Sequence, residues 1–316
     1  MKSILVVHYS QSGQLSGIVD AMTRPLSEAG IRVHVETLQP QQAFPFPWPF
    51  FRFLDVFPES VRLDPRPNLP LSPAADADFD LVILAWQVWY LSPSQPVTAF
   101  LQGADGKRLL AGKPVVSVVA CRNMWMTAYD KLVDLVRDAG GRLTDHVAFT
   151  DNAHPLATFI TTPRWMFTGR RDRFLGLPAA GVTADETAAA ARFGHALAAA
   201  LARDEQDSGA PMLTGLRAVR VNPRLVISER AGQRAFRVWS GFVRLFGKPG
   251  QWRRVPALAL FAVYLVALII TVVPLSLVLQ RTFAPLLRRR LDALRLRYEQ
   301  PSGSGAARMT EHDRTP

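Results

Sequence analysis

Apolar positions follow two different periods along the first two hundred residues, and the switches between them lay out a fold. Residues 4–9 (ILVVHY), 31–38 (IRVHVETL), 80–86 (DLVILAW), 113–120 (KPVVSVVA) and 142–149 carry continuous or alternating apolar runs that predict strands, the last interrupted by His146. Between them the spacing is helical. Ile18, Val19, Met22 and Leu26 share one face, and Gly30 closes that helix. Further helices are predicted over 95–101 and 126–139, and from an N-cap at Thr183, with Glu186 three residues on, to about Ala202. Strand and helix alternating five times predict an α/β domain over 1–202: a doubly wound, five-stranded parallel sheet with helices on both faces.

Two stretches break the rhythm. Residues 39–78 are rich in Pro and aromatics, and 162–177 are aromatic and basic. The first is too long for an ordinary connection and too apolar for a disordered linker. Two readings stay open for both: irregular cover over the sheet, or segments that line an apolar substrate pocket or dip into lipid.

Beyond Ala202 the composition changes. Residues 203–214 read as a polar linker. Over 215–254, Phe236, Val238, Trp239, Phe242, Val243 and Phe246 lie among Arg220, Arg224, Arg230, Arg234, Arg237 and Arg244, the pattern of a helix in a membrane interface. Residues 255–279 carry no charge and are long enough to span a hydrocarbon core. A basic helix over 280–300 and a disordered tail over 301–316 complete the expectation. Residues 203–300 hold 17 Lys and Arg against 6 Asp and Glu, which accounts for the whole net charge of +11. Such a segment marks a polyanion partner, and the apolar run inside it favours membrane lipid over nucleic acid. Arg253 and Arg254 precede the run, and Arg281, Arg288, Arg289 and Arg290 follow it, so the positive-inside rule casts no vote. A single span is read ahead of a re-entrant anchor turned at Pro274. The single cysteine, Cys121, excludes an intrachain disulfide, and residues 1–9 do not resemble a signal peptide. The α/β domain is therefore expected on the cytoplasmic side of the inner membrane.

Ser10, Gln11, Ser12, Gly13, Gln14 and Leu15 lie between the first strand and the first helix. Two hydroxyls, amides opened by Gly13 and a helix N-terminus make an anion site there. The loop has no Lys to reach outer phosphates, and its glycines lack the spaced triplet of dinucleotide binders, so a monophosphate such as that of FMN suits it. No cluster suggests a metal.

The loop resembles that of the flavodoxin and NAD(P)H-quinone oxidoreductase superfamily, with Leu15 standing where the family carries a hydroxyl residue and Ser16 following it. The resemblance implies two further flavin loops. Gln87, Val88, Trp89 and Tyr90 would cradle the isoalloxazine ring, with Trp89 or Tyr90 stacking on it. Cys121, Arg122, Asn123, Met124 and Trp125 would face its pyrimidine edge. A narrower resemblance covers nearly the whole chain. HYSQSGQL, PFPWPFFRFLDVFPES, VNPRLVISERAG and KPGQWRR…VVPLSLVLQRTFAPLLRRR together are similar to DarA-type proteins of dialkylresorcinol and aryl-polyene biosynthesis.

That family resemblance implies oxidation of a 2,5-dialkylcyclohexane-1,3-dione to a dialkylresorcinol, with FMN as cofactor, a hydrophobic dione as substrate and a ketosynthase as a pathway partner. One general base suffices for so acidic a dione. His154, after the fifth strand, is the first candidate and Tyr90 the second. His8 reads as structural, and Cys121 as a small buried thiol. Two other functions are weighed beside this one: a membrane-associated quinone reductase or electron carrier, and a non-enzymatic scaffold for the ketosynthase.

Overall fold

The computed structural model describes residues 1–282 and 284–309. Strands β1 (Ser3–His8), β2 (Arg32–Thr37) and β3 (Leu81–Trp86) are followed by a two-stranded ribbon, β4 (Val88–Trp89) and β5 (Ser92–Pro93), and then by β6 (Pro114–Cys121) and β7 (Arg142–Thr150). The main sheet has the order β2-β1-β3-β6-β7, with every pairing parallel. Counted along the parallel strands alone this is 2-1-3-4-5, the flavodoxin-like doubly wound arrangement. The apolar runs of β1 and β3 are buried along their whole length, as a sheet covered on both faces requires. His146, expected to weaken the last strand, is fully buried in it. Its ring stacks on Tyr129 at 4.1 Å, its Nδ1 lies 3.2 Å from the Ser117 hydroxyl, and burial lowers its pKa to about 3.

Helices α1 (Gln14–Glu28), α2 (Phe50–Asp55), α3 (Phe57–Arg62), α4 (Gln95–Gln102), α5 (Ala104–Leu110), α6 (Met126–Asp138), α7 (Pro155–Thr168), α8 (Ala184–Ala188) and α9 (Ala191–Ala202) belong to the α/β part. α1 and α9 pack so closely that a Cβ on Gly194 would stand 2.1 Å from the Met22 carbonyl oxygen. The helix expected from Thr183 to Ala202 is two, α8 and α9, broken at Ala189 and Ala190; Thr183 does cap the first, accepting from the Glu186 N–H at 3.2 Å. The second stretch that breaks the rhythm is not irregular: residues 150–180 contain the four-turn helix α7. His154 caps its start and Gly169, at φ 73°, ends it.

The C-terminal third folds onto this body as α10 (Pro223–Arg244), α11 (Val255–Thr282) and α12 (Ala284–Glu299). Several expectations need correction here. The linker over 203–214 is packed: the Met212 and Leu213 amides donate to the buried Asp145 carboxylate, each at 3.0 Å. Residues 301–309 are docked rather than disordered, because the buried Ser302 hydroxyl donates to Asp145 at 2.8 Å and accepts from the His146 N–H at 2.9 Å. The rest of that tail, 310–316, lies outside the described residues. α10 is no free interfacial helix either. Val226, Glu229, Ser240 and Val243 recur at helical spacing as a buried stripe, while Val238, Phe242 and Phe246 stay exposed.

Part of the aromatic insertion builds a core of its own. α2 and α3 build a second core, in which Leu54, Phe57 and Val61 pack with Val243, Ala257, Leu258 and Phe261. At its edge Arg254 is fully buried, 3.2 Å from Asp55 and 3.1 Å from Glu59. The sequence pattern groups Arg254 with Arg253 as charges flanking a membrane run, yet only Arg253 faces solvent. Among the described residues, Trp252–Thr271 is the one helical stretch long and apolar enough to cross a membrane, with mean hydropathy 2.2 and 22 % of it buried.

Candidate functional site

The carboxyl ends of β1, β3, β6 and β7 carry the loops in which ligands bind in open parallel sheets. After β1 the chain turns through Ser10–Ser12 into Gly13, whose φ of 79° is a left-handed conformation that other residues adopt only at a cost, and α1 begins at Gln14. The first-turn amides of α1 have no intrahelical acceptor, and no side chain caps them. The Ser10 hydroxyl is buried and has no hydrogen-bond partner. A Cβ placed on Gly13 would meet nothing within 4 Å, so space is open above the loop. Unpaired donors, a helix N-terminus and open space together make a site that accepts an oxyanion.

The neighbouring side chains hold the loop rather than fill it. The Gln11 N–H donates to the Gln87 side-chain carbonyl at 3.0 Å, tying the first loop to the one after β3. Gln11 Nε2 donates to the Phe44 and Pro45 carbonyls at 3.0 and 2.8 Å, and the Tyr9 hydroxyl donates to Gln11 Oε1. Gln14 reaches across to the Val182 carbonyl at 3.1 Å. Leu15 is wholly buried in the core, so its side chain cannot contact a ligand; only its backbone belongs to the loop. Ser16, the hydroxyl one residue later, lies 3.4 Å from His8 Nε2, and burial lowers the His8 pKa.

Trp89 and Tyr90, adjacent in sequence, part company. They straddle the tight turn of the β4–β5 ribbon, in which Tyr90 and Leu91 both take positive φ (50° and 56°). For non-glycine residues this costs roughly 1–2 kcal/mol each. Trp89 remains beside the first loop, edge-on to Tyr9 at 5.9 Å, Phe44 at 4.9 Å and Trp48 at 5.6 Å. Tyr90 turns away into the second core, against Phe53 and Phe57, and its hydroxyl donates to the Phe53 carbonyl at 2.7 Å. Burial raises its pKa well above the usual phenol range, and Asp55 adds to this. Tyr90 is therefore neither a stacking residue nor a base; it anchors the strained turn. Val88 pairs with Pro93 in the ribbon and Gln87 faces the first loop.

The loop after β6 is similarly divided. Cys121 ends the strand, with its thiol pKa pushed up by burial and by the charge of Glu229. Arg122 is turned toward α7, donating to the Thr158 hydroxyl at 2.7 Å and lying over the Phe159 ring at 4.0 Å. Asn123 and Met124 are half-buried in the turn. Trp125 is buried below it, among Tyr129, His146 and Tyr298, and so belongs to the core. His154 stands exposed at the same sheet edge, where its Nδ1 accepts from the Leu156 N–H at 3.3 Å. In the neutral ring that leaves the proton on Nε2. As placed, His154 donates; to accept a proton it must first release its own cap.

Two groups escape the sequence pattern. Asp151, buried after β7, accepts from the Ala153 and Gly181 amides at 2.9 and 2.8 Å and so shapes the loop that carries His154. Glu229, on α10, is fully buried at the start of α6, just beneath the 121–125 loop. It accepts from the Thr127 N–H at 2.7 Å, the Thr127 hydroxyl at 2.9 Å and the Met126 N–H at 3.4 Å, capping a helix that has no side-chain cap of its own. Burial raises its pKa to about 7. One signal marks it in sequence: Glu229 is the single acidic residue between Asp207 and Asp292. Clefts of about 500 Å³ beside Phe246 and Trp252 and about 370 Å³ beside Tyr129 and Tyr298 lie away from this edge, so the site is recognised by its polar groups rather than by volume.

No protein-family model matches the chain, and no curated protein does. Among solved structures it is similar to a flavoprotein from Lactobacillus acidophilus in complex with FMN, at 16 % identity over 47 % of this chain and 93 % of that one (TM-score 0.36). It is also similar to a flavodoxin from the domain Archaea, at 12 % identity over 64 % and 99 % (TM-score 0.36), and to an oxidised flavodoxin from Bacillus cereus, at 15 % over 48 % and 87 % (TM-score 0.30). By its own strand order the chain is a flavodoxin-like α/β protein carrying a C-terminal helical extension.

Proposed function

We propose that the chain is an FMN-dependent oxidoreductase that aromatises a 2,5-dialkylcyclohexane-1,3-dione to a dialkylresorcinol at a membrane. The observation that carries the cofactor is the buried, unpartnered Ser10 hydroxyl beside the open N-terminus of α1. Ser10, Ser12 and the amides from Gly13 to Ser16 would hold the phosphate, and Trp89 would wall the ring. When bound, FMN supplies the two-electron acceptor that the reaction needs. The substrate loses two electrons and two protons as its ring becomes a phenol. His154, exposed at this edge, would take one of these protons at Nδ1 once its contact with the Leu156 N–H opens. Trp89, backed by the buried Phe44 and Trp48, would give a substrate with long alkyl or polyene chains an apolar surface, and the apolar stretch Trp252–Thr271 would bring the enzyme to the bilayer in which such a substrate resides.

The test is anaerobic addition of a dialkylcyclohexanedione to the detergent-purified protein. Bleaching of stoichiometric FMN with formation of the resorcinol is expected. Flavin that bleaches with NAD(P)H but not with the dione would identify a reductase or electron carrier instead. Purified protein without any flavin would favour a scaffold that partners a ketosynthase.

A further inference from the structure

We propose that a second face of the protein, separate from the apolar helix, docks on an anionic lipid surface and so holds the carboxyl edge of the sheet close to the bilayer. The face is built on α7. Leu156 and Ile160, one turn apart on that helix, are 57 % and 53 % exposed. The next residue on the same stripe, Arg164, lies over the Phe174 ring at 4.7 Å, and Phe174 leads into Leu175, which is 83 % exposed. Three residues beyond Arg164, the Phe167 ring meets that of Phe50 at 5.6 Å, and Phe50 and Phe51 are both close to half exposed. Spacing along α7 and these two contacts bring the exposed apolar side chains onto one side of the protein. The patch continues through α2, which packs against the start of α11, so it adjoins the apolar helix rather than lying elsewhere on the surface.

Charge selects the occupant. Arg52, Arg170 and Arg173 are exposed around the patch. The one acidic residue in its loop, Asp172, is already paired with Arg164 at 3.0 Å, and that contact holds its pKa below the usual carboxylate range. Apolar tips ringed by arginines match a bilayer interface with anionic headgroups, where the rings and aliphatic chains enter the acyl boundary and the guanidinium groups stay with phosphate. The consequence for the site is geometric. α7 begins at His154 and is clamped by Arg122, so docking its outer face sets the flavin edge against the surface from which a lipid-borne substrate would come.

The proposal rests on the apolar helix lying in a bilayer, and the test separates the two. Leu175→Cys, Ile160→Cys and, within the apolar helix, Val263→Cys are each made in the full chain. Cys121 is retained, and unsubstituted protein supplies the labelling background. A nitrobenzoxadiazole label is attached, and the proteins are reconstituted into phosphatidylglycerol–phosphatidylcholine vesicles or phosphatidylcholine vesicles containing nitroxide lipids. In the anionic vesicles all three labels are expected to shift to the blue and be quenched. In the neutral vesicles quenching at Leu175 and Ile160 should fall away while that at Val263 persists. Arg170→Glu with Arg173→Glu should weaken docking at least roughly fivefold for each arginine lost. Quenching at Val263 with none at Leu175 or Ile160 in anionic vesicles would overturn the docking face and leave the anchor standing. Loss of quenching at Val263 as well would remove the anchor and the proposal with it. Equal quenching in neutral vesicles would overturn the anionic partner, and a concentration-dependent shift in detergent alone would assign the face to a second copy of the chain.

Discussion

Glu229 on α10 and Thr127 at the start of α6 are joined by two hydrogen bonds, from the Thr127 N–H at 2.7 Å and its hydroxyl at 2.9 Å, across 102 positions of sequence. The C-terminal third thereby caps the helix that follows the 121–125 loop, and it is part of the site's frame rather than a tether.

Removing that cap has a definite cost. Glu229→Ala leaves the first-turn amides of α6 and the Thr127 hydroxyl buried without an acceptor, a loss of about 1–3 kcal/mol. We expect a lower midpoint of thermal unfolding in detergent, together with weaker retention of flavin. Unchanged flavin affinity in the destabilised variant would confine Glu229 to a structural role.

The same carboxyl makes stability depend on pH. Its folded pKa, raised to about 7 by burial, lies above that of the unfolded chain, so the folded state holds a proton that the unfolded state releases. Its contribution is complete below the unfolded value and is lost as pH rises through about 7. A loss on the order of 3 kcal/mol over that window is expected, and Glu229→Gln should flatten it. Denaturant midpoints at pH 5 and pH 8 for the two proteins provide the check.

Ser12→Asp sets a carboxylate in a loop that has no cation to neutralise it, and FMN should be expelled. Gly13→Ala meets no neighbour but forces alanine into φ 79°, at about 1 kcal/mol, and should weaken flavin binding without abolishing it. Flavin stoichiometry after gel filtration measures both. Full occupancy in Ser12→Asp would mean that the phosphate lies elsewhere.

Arg254→Ala would leave Asp55 and Glu59 at the edge of the second core with only the more distant Arg244, 4.0 Å from Glu59, as a cation. Glu59 is already pushed up by its burial and held down by Arg254, so the ion pair opposes a large desolvation cost. A destabilisation of about 3–5 kcal/mol is expected. Arg253→Ala, at an exposed position beside it, should have little effect on the same unfolding curve.

Tyr90→Phe removes a hydrogen bond to the Phe53 carbonyl and should cost about 1 kcal/mol of stability. Turnover of the dione should be unchanged, because the hydroxyl faces the second core. A fall in kcat without a change in stability would restore Tyr90 to the reaction.

The elements with strong periodicity are legible in the sequence. Five strands and the helices over 14–28, 95–102 and 126–138 follow from apolar spacing, because a strand buried on both faces and a helix buried on one leave different marks. The loop over 10–15 is legible for a similar reason: strand end, hydroxyls, glycine and helix start are consecutive, and their geometry is local. α7 is not, although Pro155 and Gly169 bracket it, because its apolar residues serve two surfaces at once and so show no single stripe.

The doubly wound core, the place of the anion loop and the long apolar run are all properties of contiguous residues, and the amino-acid order alone dictates them. Tertiary packing settles where neighbours in sequence part: Trp89 toward the loop and Tyr90 away from it, Arg253 to solvent and Arg254 into a buried pair with Asp55 and Glu59. Those outcomes, like the reach of Glu229 to α6, depend on partners tens to hundreds of positions distant. Burying a charge or a phenol is favourable only where such a partner arrives to meet it, and composition does not record which one will.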